Sequence, residues 1–468
     1  MAEAKSGSSD FLGSIEEGIK EYWPWLLLII LGFFLWKYNL LHNLIKGILA
    51  LAGTAILGRI AWIWWVHYVQ QDFISGMDFV LLEIIPPRDV LRSPKAMELF
   101  FSNALYHWSM KGGKEEYWQG AVWFWFSLEI VSLEGQVHFY IRTPTRIRSL
   151  IETQMYAQYP QARVIEVEDY TLAVDEITPE SAWNGWGCEF KLTKPEAFPL
   201  KTYIDYGLDE DPKEEYKVDP ISPVIEFFGS LQKDEQAWSQ IVITPSKKTW
   251  HTEGTWFGKH DWVEESKVQI KKRLLPYARQ NKRLDKEGGF TIEFRTPDFL
   301  KSAVTGLAAK TSKIGFDTGI RIMYVAKKEA FQINNRRNIR LIWRQYAKPD
   351  SNELYRFNST QADAYNSQWF SLSPRKVMIL ANRMLHEYRE RAFFHLPLRH
   401  HIISDHIIKG PFMLIVKQFF LPYFHHLTYV LNVEELATLW HFPGQILKVP
   451  TLERIESKEA SPPTNLPI

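Results

Sequence analysis

Residues 123–144 read WFWFSLEIVSLEGQVHFYIRTP, and this stretch predicts two strands joined by a tight turn. Apolar runs of strand length stand on either side of Glu134-Gly135, a pairing typical of a β-hairpin. Thr143-Pro144 ends the second strand and starts a helix, because proline is favoured at the first helical position. The stretch therefore indicates an antiparallel hairpin that leads into a helix.

The flanking sequence extends this hairpin to a β-α-β-β-α-β order. A strand is predicted at Phe79–Ile85, and Ser93-Pro94 then starts a helix with serine as its N-cap. A fourth strand follows the second helix at Arg163–Glu168. The apolar face of the first helix comprises Met97, Phe100, Phe101, Ala104, Leu105 and Trp108. This order is that of the ferredoxin-like fold.

Two pairs of short, similar segments indicate that the same order of strands and helices recurs downstream. SPVIEFF at 222–228 is similar to SPKAMELFF at 93–101, and IEFRTP at 292–297 is similar to FYIRTP at 139–144. The helix starts and strand ends fall at matching places in both copies. We therefore expect two tandem ferredoxin-like domains, and two unrelated α+β layers are the alternative.

The first 70 residues predict a transmembrane hairpin. Trp23–Trp36 is an uncharged apolar run with aromatic residues at both ends, as at a bilayer interface. A second apolar run, Gly47–Val69, contains Arg59, which costs roughly 2.5–3.5 kcal/mol at the centre of a membrane span. The alternative to two spans is one span followed by a helix in the interface.

These patterns predict an α+β protein with an N-terminal transmembrane helical hairpin, two tandem ferredoxin-like domains and a C-terminal helical and extended region. The expected divisions are a tail at 1–21, the hairpin at 22–69, the first domain at 77–175, the second at 186–327 with a basic insertion at 246–289, a basic helical region at 328–428 and a C-terminal docking segment and linker at 429–468.

The composition excludes several classes of protein. The 468 residues hold 55 Lys and Arg against 54 Asp and Glu, so the net charge is +1. A uniformly basic nucleic-acid coat and an acidic tail protein are therefore excluded. The single cysteine, Cys188, excludes an intramolecular disulfide and a thiolate-built zinc or iron–sulfur centre within this chain.

Charge is nevertheless unevenly distributed along the chain. Residues 160–235 carry 18 acids and seven bases, whereas residues 327–458 carry 19 bases and 11 acids. Surfaces of opposite sign favour contact, either within one molecule or between copies of a homo-oligomer.

Two basic segments are candidate contacts for nucleic acid or anionic lipid headgroups. One is the insertion, which also contains tryptophan, and the other is a predicted helix at Lys328–Tyr346. Solvated charged surfaces are the alternative for both. The candidate contact residues are Lys271, Lys272, Arg273, Arg279, Lys282, Arg283, Arg336, Arg337, Arg340 and Arg344.

Motifs of known catalytic chemistry are missing from the sequence. No GxxxxGK[ST], GxSxG, HExxH or GxGxxG string occurs. Eight histidines fall between residues 386 and 441, but their spacing matches no metal motif. We therefore expect no enzyme activity, no cofactor and no metal. The histidines are His386, His395, His400, His401, His406, His425, His426 and His441.

Several segments resemble one family. LLEIIPPRD at 81–89, SPKAMELFF at 93–101 and TQMYAQYPQARVIEVEDYT at 153–171 are similar to the N-terminal, membrane-anchored region of type IV secretion or conjugation-type ATPases of Gram-positive and candidate-phylum bacteria. EELATLWHFPG at 434–444 and PPTNLPI at 462–468 resemble the junction that leads into their HerA/FtsK-like motor domain.

The resemblance implies a scaffold in the cytoplasmic membrane whose soluble part is cytoplasmic. The chain stops at Ile468, where the family's motor would begin, so we expect it to dock a separately encoded motor ATPase. The alternative is a nucleic-acid-binding membrane protein. The expected docking residues are Glu434, Glu435, Leu436, Leu439, Trp440 and Phe442.

Overall fold

The computed structural model describes residues 27–34, 37, 40–87, 90, 92–106, 112–209, 218–246, 250–251, 259–274, 278–284, 290–294, 298–360, 374–391, 393–395 and 426–444. The chain divides into two units, Met1–Val69 and Gln70–Ile468.

The N-terminal unit is helical where it is described. Residues 27–34 form helix, and a 36-residue helix, α1, runs over Leu40–Ser75. At 1.5 Å per residue α1 is about 54 Å long, which exceeds the ~30 Å hydrocarbon core of a bilayer. Its stretch from His42 to Ser75 is long and apolar enough to cross a membrane. Much of the first predicted span, Trp23–Trp36, lies outside the described residues.

The second unit is built on one large antiparallel sheet of nine strands. Its order is β12-β5-β11-β6-β2-β3-β1-β4, and β13 pairs with the first residues of β11. The strands of this sheet are β1 Phe79–Ile85, β2 Phe126–Leu133, β3 Gln136–Pro144, β4 Arg163–Val167, β5 Trp183–Leu192, β6 Glu235–Pro245, β11 Gly315–Lys327, β12 Leu354–Phe357 and β13 Tyr429–Asn432.

Nine further helices and two small sheets complete the elements named here. The helices after α1 are α2 Lys95–Phe100, α3 Gly113–Trp118, α4 Arg148–Gln158, α5 Ser222–Gly229, α6 Trp262–Leu274, α7 Asp298–Ser312, α8 Ile333–Ile339, α9 Pro374–Glu390 and α10 Val433–Leu439. The small sheets pair β7 Trp250–His251 with β8 Lys259–His260, and β9 Ala278–Leu284 with β10 Phe290–Phe294.

The predicted hairpin is confirmed as β2 and β3. Its two turn residues, Glu134 and Gly135, have φ angles of 52° and 88°. Positive φ at both central residues defines a type I′ turn, whose twist matches that of the strands. A Cβ on Gly135 would also lie 2.6 Å from the carbonyl oxygen of Leu231, so glycine is required there.

The predicted helix after Ser93-Pro94 is also confirmed. Ser93 Oγ accepts a hydrogen bond from the backbone N–H of Lys95, and α2 continues as a π-helical turn over Phe101–Leu105. The predicted apolar residues of this face are buried as far as Leu105, in the core that fills one face of the sheet.

The strand order differs between the two predicted domains. The first four strands lie in the order β4-β1-β3-β2, with α2 between β1 and β2 and with α4 between β3 and β4. In the second half β11 lies between β5 and β6, and β10 pairs with β9 instead of joining the described large sheet. Because β2 pairs with β6, strands of both predicted domains belong to one continuous sheet. The chain is therefore a mixed helix and strand protein built on one large antiparallel sheet.

The basic region and the C-terminal segment also differ from expectation. Helix α8 is seven residues long, and the chain turns after it instead of continuing as helix to Tyr346. Residues 429–444, expected to be a docking segment, include β13 and α10 and belong to the sheet and its core. The side chain of Asn432 caps α10 through a reciprocal capping box with Glu435.

Candidate functional site

A row of polar side chains crosses the middle of the sheet. Directly opposed residues of six adjacent strands supply it, so the side chains share one face of the sheet. We call Glu83, Tyr140, Glu129, Gln240, Arg321 and Glu189 the polar row. The four residues from Glu129 to Glu189 are fully buried. Buried charged groups require counter-charges or hydrogen-bond partners, and helix α9 and the residues after it supply them.

Arg391 binds the row at Glu129. Its Nε lies 3.0 Å from Glu129 Oε1, and its Nη1 donates to Asp169. Tyr170 donates its hydroxyl to the second oxygen of Glu129 over 2.7 Å. Arg391 has a φ of 52°, a left-handed conformation that costs a non-glycine residue about 1 kcal/mol. This conformation turns the chain after α9 and keeps the guanidinium over the sheet.

A second cluster surrounds Arg321. Its Nη2 lies 2.7 Å from Glu189 Oε1, and its Nη1 donates to the backbone carbonyl of Glu387 over 2.7 Å. His426 lies between two carboxylates: its Nδ1 is 2.7 Å from Glu189 Oε1, and its Nε2 is 3.3 Å from Glu387 Oε2. The two carboxylates thus share two basic side chains.

Gln240 joins the two clusters. Its amide nitrogen donates to Glu129 Oε1 over 3.1 Å and to the carbonyl of Tyr388 over 3.0 Å. Its amide oxygen accepts from Arg321 Nη1 over 3.4 Å. Because one amide group satisfies an acid on one side and a base on the other, the network is continuous.

The pKa values show which groups carry charge. Burial by itself would raise the pKa of Glu189, but His426 and Arg321 lower it to about 2. Burial by itself would lower the pKa of His426, but Glu189 and Glu387 raise it to about 9. Glu387 has a lowered pKa because bonding to His426 outweighs its burial. At neutral pH the second cluster therefore holds two carboxylates, one guanidinium and one imidazolium.

Glycines in the sheet allow α9 and its extension to approach this closely. A Cβ on Gly187 of β5 would lie 2.8 Å from Met384 Cγ, and one on Gly319 of β11 would lie 2.2 Å from the ring of Phe393. Phe393 in turn lies beneath the Arg321 guanidinium, 4.3 Å from its carbon atom. Glycine at these two positions therefore leaves space on the sheet surface for α9 and for Phe393.

The second cluster also brings three potential metal ligands together. Atoms of Glu189, Glu387 and His426 lie within 4.8 Å of one another. A cation would have to displace the proton of His426 and lie next to the Arg321 guanidinium, whose Nη2 is 3.4 Å from His426 Nδ1. Since the four side chains already balance in charge, we interpret the cluster as an ion-pair network and assign no metal to it.

Comparison with known proteins gives a family. Residues 124–400, more than half of the chain, match a domain family whose description is "Domain of unknown function (DUF8128)". The chain belongs to this family. The DUF8128 segment contains both central acids of the polar row, their arginine partners and all of α9. A search of curated proteins finds no match.

The predicted contact residues of the basic insertion are spread over two elements of this DUF8128 protein. Lys271 and Lys272 are exposed on the last turn of α6, whereas Arg273 lies over the ring of Phe198 at 4.7 Å. Arg279, Lys282 and Arg283 belong to β9, and their side chains lie outside those described. The structure thus describes two exposed lysines of this group.

The four predicted arginines of the α8 region fall into two pairs. Arg336 and Arg340 are partly buried, whereas Arg337 and Arg344 are exposed. Burial lowers the pKa of Arg336, and the like charges of Arg337 and Arg340 lower it further.

The predicted docking residues are packed inside the chain. Glu435 lies 3.0 Å from Lys310 Nζ with both side chains fully buried, and Trp440 donates its ring N–H to the carbonyl of Glu129. The core contains the apolar members of the group, and both acids are buried as well. Glu434, Glu435, Leu436, Leu439, Trp440 and Phe442 therefore stabilise the fold and form no exposed docking surface.

Sequence reasoning missed the polar row, although a signal existed. Glu129 and Arg321 each stand between two apolar residues near the middle of a strand, and Gln240 precedes the apolar run Ile241–Ile243. A single polar residue at the centre of a buried strand requires a buried partner. The partners Arg391 and His426 lie far along the chain, so only the fold reveals the pairing.

Proposed function

We propose that this chain is a membrane-anchored, non-catalytic scaffold of a type IV secretion or conjugation-type DNA-translocation machine, and that it docks a motor ATPase. The observation that carries the proposal is helix α1, an apolar helix of 36 residues that ends four residues before the first strand of the sheet. A folded unit on such a helix suits a protein that holds partners at a bilayer.

Two further features support the non-catalytic part of the proposal. The strongly perturbed charges of the polar row are internally paired and buried, so they stabilise the fold instead of facing a substrate. The 468 residues also hold no Walker A string, so they offer no recognised nucleotide-binding loop. The family resemblance of residues 153–171 and 434–444 supports the link to a motor.

The same resemblance supports the finer fold and the location. We interpret strands β1 to β4 with α2 and α4 as one ferredoxin-like module, fused through β2 and β6 to a second, rearranged module. The folded unit lies in the cytoplasm in this proposal, because a motor needs cytosolic nucleotide.

Affinity purification of the full chain from membranes tests the docking. We expect a motor ATPase to co-purify, and we expect its recovery to fall when residues 445–468 are deleted, since residues 429–444 belong to the folded core. Unchanged recovery after the deletion would contradict docking through this segment. Replacement of 445–468 by a glycine-serine chain of equal length is the matched control for length.

Nucleic-acid binding is the second candidate function. Two adjacent exposed lysines on α6, Lys271 and Lys272, favour it, together with the basic insertion that carries them. Phosphate binding through such side chains weakens steeply with salt. Loss of DNA retention in the Lys271→Glu/Lys272→Glu variant at about 50 mM salt would support it, and no retention by the unaltered chain would contradict it.

A further inference from the structure

Four exposed side chains, alternately aliphatic and basic, lie on α8 and on the turn and short helical segment that follow it. Ile333, Arg337, Leu341 and Arg344 are separated by four, four and three residues. Ile333 is 54% exposed and Leu341 is 50% exposed, and both arginines are exposed. Among the described residues no ion pair or side-chain hydrogen bond engages the two arginines. We call these four residues the basic stripe.

A second surface has the opposite charge and a similar apolar centre. Residues 164–190 contain no lysine or arginine. Glu168 and Asp175 are exposed on either side of Leu172, which is 72% exposed, and Glu166, exposed at the edge of the sheet, is paired with Arg148. We call Glu166, Glu168, Leu172 and Asp175 the acidic knob.

The segments that carry the two surfaces pack on opposite faces of the sheet, one in each of the two main apolar clusters. Glu166 belongs to β4, the terminal strand at one end. The segment that carries the basic stripe packs near the other end, where Trp343 contacts the ring of Phe190 on β5, next to the terminal strand β12. From β4 the knob segment crosses the α9 face of the sheet as far as β5, where Ile177, two residues after Asp175, packs on Gly185. Successive residues of a strand point to opposite faces, so Gly185 and Phe190 present opposite faces of β5. In the described part of the chain β4 pairs with β1 alone and β12 with β5 alone.

We propose that copies of this chain associate head to tail, with the acidic knob of one copy against the basic stripe of the next. Exposed leucine and isoleucine side chains are then covered at the centre of the contact, and the acids and arginines pair around them. This arrangement matches the usual division of an interface into an apolar centre and a polar rim. The inference does not depend on the proposed docking of an ATPase.

A second copy fits these surfaces better than a contact within one molecule. The segments that carry them pack on opposite faces of one hydrogen-bonded sheet, so the sheet separates the two surfaces within a single chain. Because they are different surfaces, their contact is heterologous and leaves one knob and one stripe open at the ends of any dimer. Repetition of such a contact gives a ring when the rotation closes, and an open chain otherwise.

Charge reversal in the full-length chain, purified in detergent, tests this arrangement by mass measurement in solution. The stripe-reversed variant is Arg337→Glu/Arg344→Glu, and the knob-reversed variant is Glu168→Lys/Asp175→Lys. We expect assemblies larger than a dimer from the unaltered chain and monomers from each variant alone, because like charges opposed in an interface weaken it on the order of 100-fold or more. The Lys95→Glu/Lys114→Glu variant alters net charge as much as stripe reversal does and is expected to assemble normally.

The decisive sample is the mixture of the two variants. The stripe-reversed chain is acidic on both surfaces and the knob-reversed chain is basic on both, so the two chains can alternate through both contacts, and the mixture is expected to recover larger assemblies although neither variant assembles alone. A single chain that carries all four substitutions has both signs exchanged and is expected to recover larger assemblies.

Four results would overturn the proposal. They are a monomeric unaltered chain at micromolar concentration, assembly unaffected by either reversal, dimers of either variant with itself, and loss of DNA binding in the stripe-reversed variant with its mass unchanged. The last result would assign the stripe to nucleic acid. Circular dichroism melting of each variant confirms that the exposed substitutions leave the fold intact.

Discussion

Arg391 Nε lies 3.0 Å from Glu129 Oε1, and this ion pair joins the end of helix α9 to the centre of the sheet across 262 residues of sequence. Asp169 and Tyr170 complete the surroundings of the pair. The contact supplies the counter-charge that allows Glu129 to be buried in the sheet. It also ties α9 to the folded unit.

Removal of one partner of this pair is expected to be strongly destabilising. Arg391→Met leaves Glu129 buried without its counter-charge, which costs about 3–5 kcal/mol. Thermal unfolding of the full chain in detergent measures the loss. The matched control is Arg337→Met on the exposed stripe, which is expected to change stability by less than about 0.5 kcal/mol. Equal stability of the two variants would contradict the assignment of Arg391.

Stability is expected to depend on pH through His426. Its pKa of about 9 in the folded protein exceeds the usual 6.5, so protonation stabilises the fold fully below pH 6.5. This contribution, on the order of 3 kcal/mol, is lost as pH rises from 6.5 through 9. Unfolding midpoints between pH 6 and 10 measure it. His426→Gln is expected to remove this slope, and an unchanged slope in that variant would contradict the imidazolium.

Gly319 is expected to tolerate no side chain while Phe393 is present. Gly319→Ala would place Cβ 2.2 Å from that ring, and overpacking of this kind costs typically 1–3 kcal/mol. Unfolding in denaturant measures the change. Gly112→Ala, which meets no atom within 4 Å, is the control. Phe393→Ala in the Gly319→Ala background is expected to be better tolerated than in the unaltered chain; equal effects in both would contradict the contact.

The buried pair of Lys310 and Glu435 is expected to show strong coupling. Their charged atoms lie 3.0 Å apart with both side chains fully buried, so each single change, Lys310→Met or Glu435→Gln, leaves an unsatisfied group. The double variant Lys310→Met/Glu435→Gln removes both charges and is expected to be more stable than Lys310→Met alone. A double variant whose loss equals the sum of the two single losses would argue against the pair.

Local chemistry made several elements predictable. Glu134-Gly135 fixes a turn by its backbone preferences, and Ser93-Pro94 starts a helix by its capping chemistry. Both signals act within a few residues. The apolar face from Met97 to Leu105 was likewise readable, because helical spacing alone defines it.

The pairing of strands that are distant in sequence could not be predicted from the sequence, and the reason is physical. Whether β11 pairs with β5, β6 or β10 depends on which faces can be buried together, and every apolar strand satisfies the same local pattern. The segment 429–444 illustrates the same limit. The family resemblance predicted docking through this segment, whereas Lys310 and the capping box at Asn432 hold residues 429–444 in the core.

Membrane extraction of the full chain tests the central claim, that α1 anchors the folded unit to a bilayer. After alkaline carbonate treatment of membranes that contain the chain, we predict recovery in the pellet, and release to the supernatant when Ile56→Lys and Leu57→Glu place charges in the apolar stretch of α1. Recovery of the unaltered chain in the supernatant would contradict the account.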